Sequence, residues 1–214
     1  MTAPSTCPRC LGPLRPPGLM SSDWVCSRHG AVTPYSAPGR PGADALRQVS
    51  GRAGVPVWAP LPLLPAWTFT GVATAGDGRS GARATATAFG GPCPLGGPAD
   101  LVLVAEEPGV GLGGRIAGTG ALDPGTCSGA PEAKLLAAGH PTPLWRCPSA
   151  PDRVAFAGEA LGVWLWAVLW PPASELLLLE HVELHDLRAE EHAHLDLPTG
   201  ARTARLGQPL PEPV

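Results

Sequence analysis

Cys7-Pro8-Arg9-Cys10 and Cys26-Ser27-Arg28-His29 stand fifteen residues apart, a C-x2-C-x15-C-x2-H pattern. Each pair can close two ligands on one ion through a tight knuckle turn. Three thiols and an imidazole then supply the four soft or borderline donors that tetrahedral zinc takes. With all four positions filled by protein, such a zinc is structural, because a catalytic zinc keeps one position for water. Gly12 and Gly30 lie just past the knuckles, where a positive φ is often required. Arg9, Arg15 and Arg28 lie in or beside them and could meet phosphates.

Other residues offer weaker chemistry. Gly76–Gly81 and Gly109–Gly114 both match G-x-G-x-x-G. A phosphate cradle needs such glycines at a strand-to-helix turn; here the first joins two strands and the second is not followed by a long helix. Arg79 and Ser80 in the first loop remain candidates for holding a small anion. His181, Glu183 and His185 share one face, opposite Val182 and Leu184, if the segment is a strand; if it is a helix, His181 and His185 stand at i, i+4. They could bind a metal, with His192 and His194, or form the wet face of an ordinary sheet. Trp164, Trp166 and Trp170 share a strand face as well. They could line an apolar ligand cleft or pack beneath a covering layer. Cys93, Cys127 and Cys147 lack metal-like spacing, and no Walker loop, G-x-S-x-G or H-E-x-x-H occurs.

These residues are positioned by a chain of 214 residues with 28 Gly and 28 Pro. So many breakers favour short elements and many turns over long helices. Net charge is −3 overall, but residues 1–60 carry six Arg against two Asp, so a basic head precedes an acidic body. That balance makes the whole molecule no obvious nucleic-acid binder and leaves nucleic-acid binding to the head alone. No apolar run reaches the length of a membrane span, and the amino-terminal residues lack the apolar core of a signal peptide. The expectation is a cytoplasmic protein, where reduced thiols suit metal binding, with no membrane contact.

Between the knuckles, Leu14–Pro16 and Ser22–Val25 are short enough for ribbon strands, and after the second knuckle Ala31–Thr33 can form a third. Residues 34–42 read as a linker and Ala43–Ala53 as one short helix. Alternate prolines over 55–65 demand extended chain away from a sheet centre. Trp67–Ala75 and Ala82–Phe89 read as a hairpin, Leu101–Ala105 as a buried strand, and Val154–Ala157 with Val163–Trp170 as a second hairpin. Ala133–Ala138 is a strand or helical turn, Gly139–Pro143 with His140 a turn, and Leu176–Leu187 closes the body. The fold class is α+β: a small zinc ribbon over 1–36, a linker and short helix over 37–56, a mainly antiparallel β domain with a few short helices over 57–206, and a loose tail over 207–214.

The phrases CPRC…WVCSRHG, GDGRSGARATA, GPCPLGGPADLVLVAEEPGVGLG, GHPTPLW and FAGEALGVWLWAVLWP cover nearly the whole chain. It resembles a family of roughly 200-residue proteins from high-GC bacteria with a CPxC…CxxHG head and a domain of unknown function. The resemblance implies a zinc-bearing head and carries over no catalytic residues. Some relatives carry a phosphate acetyltransferase label; the length and β-hairpins do not suggest the α/β architecture of that enzyme. Three functions are therefore expected, in this order. The first is a non-catalytic binding or regulatory module acting on a protein or small-molecule partner. The second is a small enzyme performing acyl or phosphoryl transfer on an anionic substrate. The third is nucleic-acid binding through the head.

Overall fold

The computed structural model describes residues 5–19, 21–77, 81–125, 129–179, 182–192 and 194–207. Three short strands, β1 (Leu14–Arg15), β2 (Trp24–Cys26) and β3 (Gly30–Val32), form an antiparallel ribbon in that order. Two residues further on, β4 (Tyr35–Ser36) joins the edge of a second, ten-stranded sheet. A strand thus falls within the stretch expected to be linker, and it ties the ribbon directly to the body.

Helix α1 (Ala43–Ser50) buries Leu46 and Val49 on one face. It stops before Ala53 because the chain leaves to bond the sheet: the N–H of Gly54 donates to the carbonyl of Ala82 at 2.9 Å. Then follow β5 (Trp58–Pro60), β6 (Thr68–Asp77), β7 (Gly81–Pro92), β8 (Pro98–Glu106) and the six-residue helix α2 (Leu112–Ala117). The remaining strands are β9 (Ala133–Ala137), β10 (His140–Cys147), β11 (Val154–Ala160), β12 (Val163–Trp170) and β13 (Glu183–Asp186), with a 3₁₀ segment over Pro172–Leu179.

The strand order is β4-β6-β7-β8-β12-β11-β10-β9-β13-β5. Pairing is antiparallel except for β13 against β9. The proline-rich β5 takes an edge, where missing N–H donors do least harm. The sheet curls until β5 lies against β7 and β8. There Thr85 and Thr87 donate their hydroxyls to the carbonyls of Pro56 (2.5 Å) and Trp58 (2.6 Å). This accounts for the threonine–alanine alternation of β7: threonines face the curl and alanines the other side.

Period-two alternation sorts the strands into two cores. Leu101, Leu103, Leu165 and Leu169 fill the inside of the curl with Phe69, Phe89, Trp58 and Leu184. Val102, Val104, Trp166, Val168 and Trp170 point outward, under α2 and the segment around Leu206. Both faces are covered, so β8 and β12 read as continuous apolar runs.

A further expectation is corrected. Gly139–Pro143 is not all turn, because His140 begins β10. Its prolines, Pro141 and Pro143, lie where β10 pairs with β9 alone; pairing with β11 starts at Trp145. A strand with one partner has positions that need no donor. Among the described residues, no helix is long and apolar enough to cross a membrane. Of the expected tail over 207–214, Gly207 ends a 3₁₀ segment that starts at Arg205, and the rest lies outside the described residues.

Candidate metal centre

The ribbon folds back on itself so that both knuckles meet. In the first, the N–H of Leu11 donates to the carbonyl of Cys7 and that of Cys7 to Gly12, both at 2.9 Å. The left-handed residue here is Leu11, at φ 58°, not the expected Gly12. Gly12 serves close approach instead, since a Cβ there would stand 3.2 Å from the Cys10 sulfur. In the second knuckle Gly30 does take positive φ, at 68°.

The donor atoms of Cys7, Cys10, Cys26 and His29 all lie within 4.8 Å of one another. Cys7 Sγ is 3.4 Å from His29 Nδ1, Cys26 Sγ is 3.6 Å from the same nitrogen, and Cys10 Sγ is 3.8 Å from Cys26 Sγ. A tetrahedron built on Zn–S bonds of about 2.3 Å and Zn–N bonds of about 2.0–2.1 Å has edges of about 3.5–3.8 Å. The four side chains are close enough to hold a metal ion, through Nδ1 of the histidine. Cys7 and Cys26 are almost fully buried.

Ionisation at the site follows its surroundings. Burial pushes the Cys7 thiol up to about 12, against the opposing N–H groups of Arg9 and Cys10. Burial also works against the Cys26 thiolate, but the N–H groups of Arg28 and His29 outweigh it and hold the thiol below its ordinary value. Burial, then the charges of Arg9 and Arg28, lowers His29 and favours the neutral, metal-ligating imidazole.

The first knuckle is bolted to the body. Arg9 donates through Nε to the carbonyl of Val110 (3.1 Å) and through Nη2 to that of Gly109 (2.6 Å). In return, Arg115 of α2 donates through Nε to the carbonyl of Pro8 at 2.6 Å. Arg115 is buried, with its guanidinium 4.7 Å from the centre of the Tyr35 ring. Arg9 is therefore spent on docking, and of the three arginines considered for phosphates only Arg15 and Arg28 stay exposed. A cleft of about 250 Å³ opens where ribbon and sheet meet, bordered by Arg9, Asp23, Trp24, Thr33, Asp77 and Arg83.

The other sequence candidates lie elsewhere. Arg79, Ser80, His181 and Cys127 fall outside the described residues. The second glycine motif does sit between a strand and a helix, though a short one. The anion at its helix is the chain's own: Glu106 accepts from the N–H groups of Leu112 (2.7 Å) and Gly113 (3.2 Å). Sequence reasoning missed Glu106; an acidic pair, Glu106-Glu107, ending an apolar strand ahead of a glycine run was the available signal. Wholly buried, it is pushed up to about 7 by desolvation, against those two N–H donors.

Trp166 and Trp170 are core, and Trp164 packs beside them while donating to Asp123 at 3.1 Å. Arg153 and Arg205 each place a guanidinium 4.9 Å from the Trp170 ring centre. The tryptophan face packs into the outer core, with Trp164 partly buried at its edge. Glu183 and His185 lie half-exposed on β13, with Val182 and Leu184 buried on its other side.

A family model, described as a family of unknown function (DUF6758), matches residues 1–206, and the chain belongs to that family. Neither the curated proteins nor the solved structures yield a match.

Proposed function

We propose that this chain is a zinc-organised, non-catalytic binding module whose contact site is the cleft between ribbon and sheet. The observation that carries the reading is the closed donor set: three thiols and one imidazole, spaced for one tetrahedral ion, with no position left for water. Three sulfurs favour zinc over harder divalent ions. The metal then shapes the ribbon, and Arg9 and Arg115 transmit that shape to the sheet. The buried carboxylate Glu106 caps α2, and Trp166 and Trp170 are packed. The cleft offers an aromatic wall, Trp24, beside Arg83 and Asp23, which suits a polar small molecule or a peptide segment of mixed charge.

Cobalt substitution tests the metal. A closed site gives strong thiolate-to-cobalt absorption with the visible bands of a tetrahedral centre; a five-coordinate, water-bearing spectrum overturns it. Native mass spectrometry tests the cleft. A partner or small molecule recovered with the wild type is lost on Arg83→Glu while the ribbon metal stays bound. Retention of that ligand by Arg83→Glu, or turnover of an acyl or phosphoryl substrate by the pure protein, overturns the binding assignment.

A further inference from the structure

A second group of ligating side chains lies at the opposite end of the large sheet from β4, on β13 and the turn that follows. His185 stands on the half-exposed face of that strand. The chain then reverses: the N–H of Ala189 donates to Asp186 (3.1 Å) and that of His192 to Ala189 (3.0 Å). The reversal is held from within by Asp186, whose carboxylate accepts from the N–H groups of Val57 (3.0 Å) and Arg188 (3.1 Å) and from the Arg188 guanidinium (2.6 Å). It brings the His192 ring edge-on to that of His185, with centroids 5.2 Å apart. Glu191 arrives with it, and one donor atom from each of His185, Glu191 and His192 lies within 4.8 Å of the other two.

We propose that His185, His192 and Glu191 form a second metal site, distinct from the ribbon and specific for a divalent first-row transition ion such as zinc. Two imidazoles are borderline donors that calcium and magnesium seldom take, so beside one carboxylate oxygen they suit zinc, cobalt or nickel better. Unlike the ribbon, this set supplies three ligands and so leaves a coordination position open. His192 is largely shielded, its side chain 13% exposed, which gives the ion one firm wall. Glu183 stands 3.6 Å from His185 Nε2 and adds negative charge beside the site. His192 also borders a cavity of about 310 Å³ lined by Leu46 and Ser50 of α1 and by Leu187, Ala189 and Leu195. The plain alternative is two histidines each paired with a neighbouring carboxylate on the wet side of the sheet, without affinity for metal.

The test uses the full chain with its ribbon already saturated with zinc. Co²⁺ is added and followed by calorimetry and by absorption. One further equivalent is expected, with weak visible bands and no thiolate charge-transfer band, because no cysteine belongs to this site. His192→Ala abolishes that equivalent. Glu191→Gln changes a side chain 73% exposed, leaves the fold alone, and weakens binding at least about tenfold. His140→Ala, an exposed imidazole on another strand, leaves binding intact. The site is disproved if zinc-saturated protein takes up no further cobalt. It is equally disproved if Glu191→Gln binds as tightly as wild type, whether or not His192→Ala folds.

Discussion

The guanidinium of Arg115 donates to the carbonyl of Pro8 across 2.6 Å, so a helix of the body holds the residue between two metal-ligand positions. The same side chain donates through Nη2 to the carbonyl of Leu206 at 3.3 Å. Arg115→Met removes both donors from buried acceptors and leaves the Tyr35 ring without its cation. The expected cost is about 3 kcal/mol, read as a lower urea midpoint at unchanged slope. The variant also gives up its ribbon metal to a chelator faster than wild type does.

Stripping the metal tests how far the ribbon depends on it. The ribbon strands are two or three residues long and cannot stand alone. Chelation is expected to melt residues around Trp24, seen as a shift in tryptophan emission, while far-ultraviolet dichroism of the ten-stranded sheet persists. Complete loss of that sheet signal on chelation contradicts this division.

Glu106 makes stability depend on pH in an uncommon direction. Its pKa in the folded protein, about 7, lies above the ordinary glutamate value of 4.5. The folded state thus binds the proton more tightly than the unfolded chain. This group's contribution is greatest below about pH 4.5, falls as pH rises to about 7, and is constant beyond. The span corresponds to about 3 kcal/mol. Denaturation midpoints measured across that window decline for wild type and stay flatter for Glu106→Gln.

Gly113→Ala pits helix propensity against packing. Alanine favours the helix by about 1 kcal/mol. An added Cβ, however, meets the Trp166 indole at 2.3 Å, and Trp166 is buried with no room to retreat. Packing wins, and a net loss of about 2 kcal/mol is expected by thermal denaturation. At Gly109 an added Cβ meets nothing, but φ is +82°, so substitution there costs only backbone strain.

The candidate metal ligands were legible because knuckle chemistry is local: two residues of spacing fix two donors. The β7 and β12 strands were legible for the same reason, since alternation and apolar runs report burial directly. Four features were not. The pairing that places Tyr35 on the edge of the large sheet is long-range and leaves no mark in so short a strand. The β10 strand was hidden by Pro141 and Pro143, whose tolerance depends on which neighbour each stretch of the strand meets. The role of Arg9 could not be read either, because an arginine beside a metal knuckle looks the same whether it faces a phosphate or two backbone carbonyls. Glu106 was missed because only the fold shows that a short helix begins over it.

The Leu206 carbonyl accepts from both the Tyr35 hydroxyl, at 2.6 Å, and Arg115. During synthesis on the ribosome the knuckle emerges long before Leu206. The metal can be captured early, but its lobe cannot be fully seated until Leu206 has followed. A stalled nascent chain ending before Leu206 will therefore expose a loaded ribbon with Tyr35 and Arg115 still unlatched.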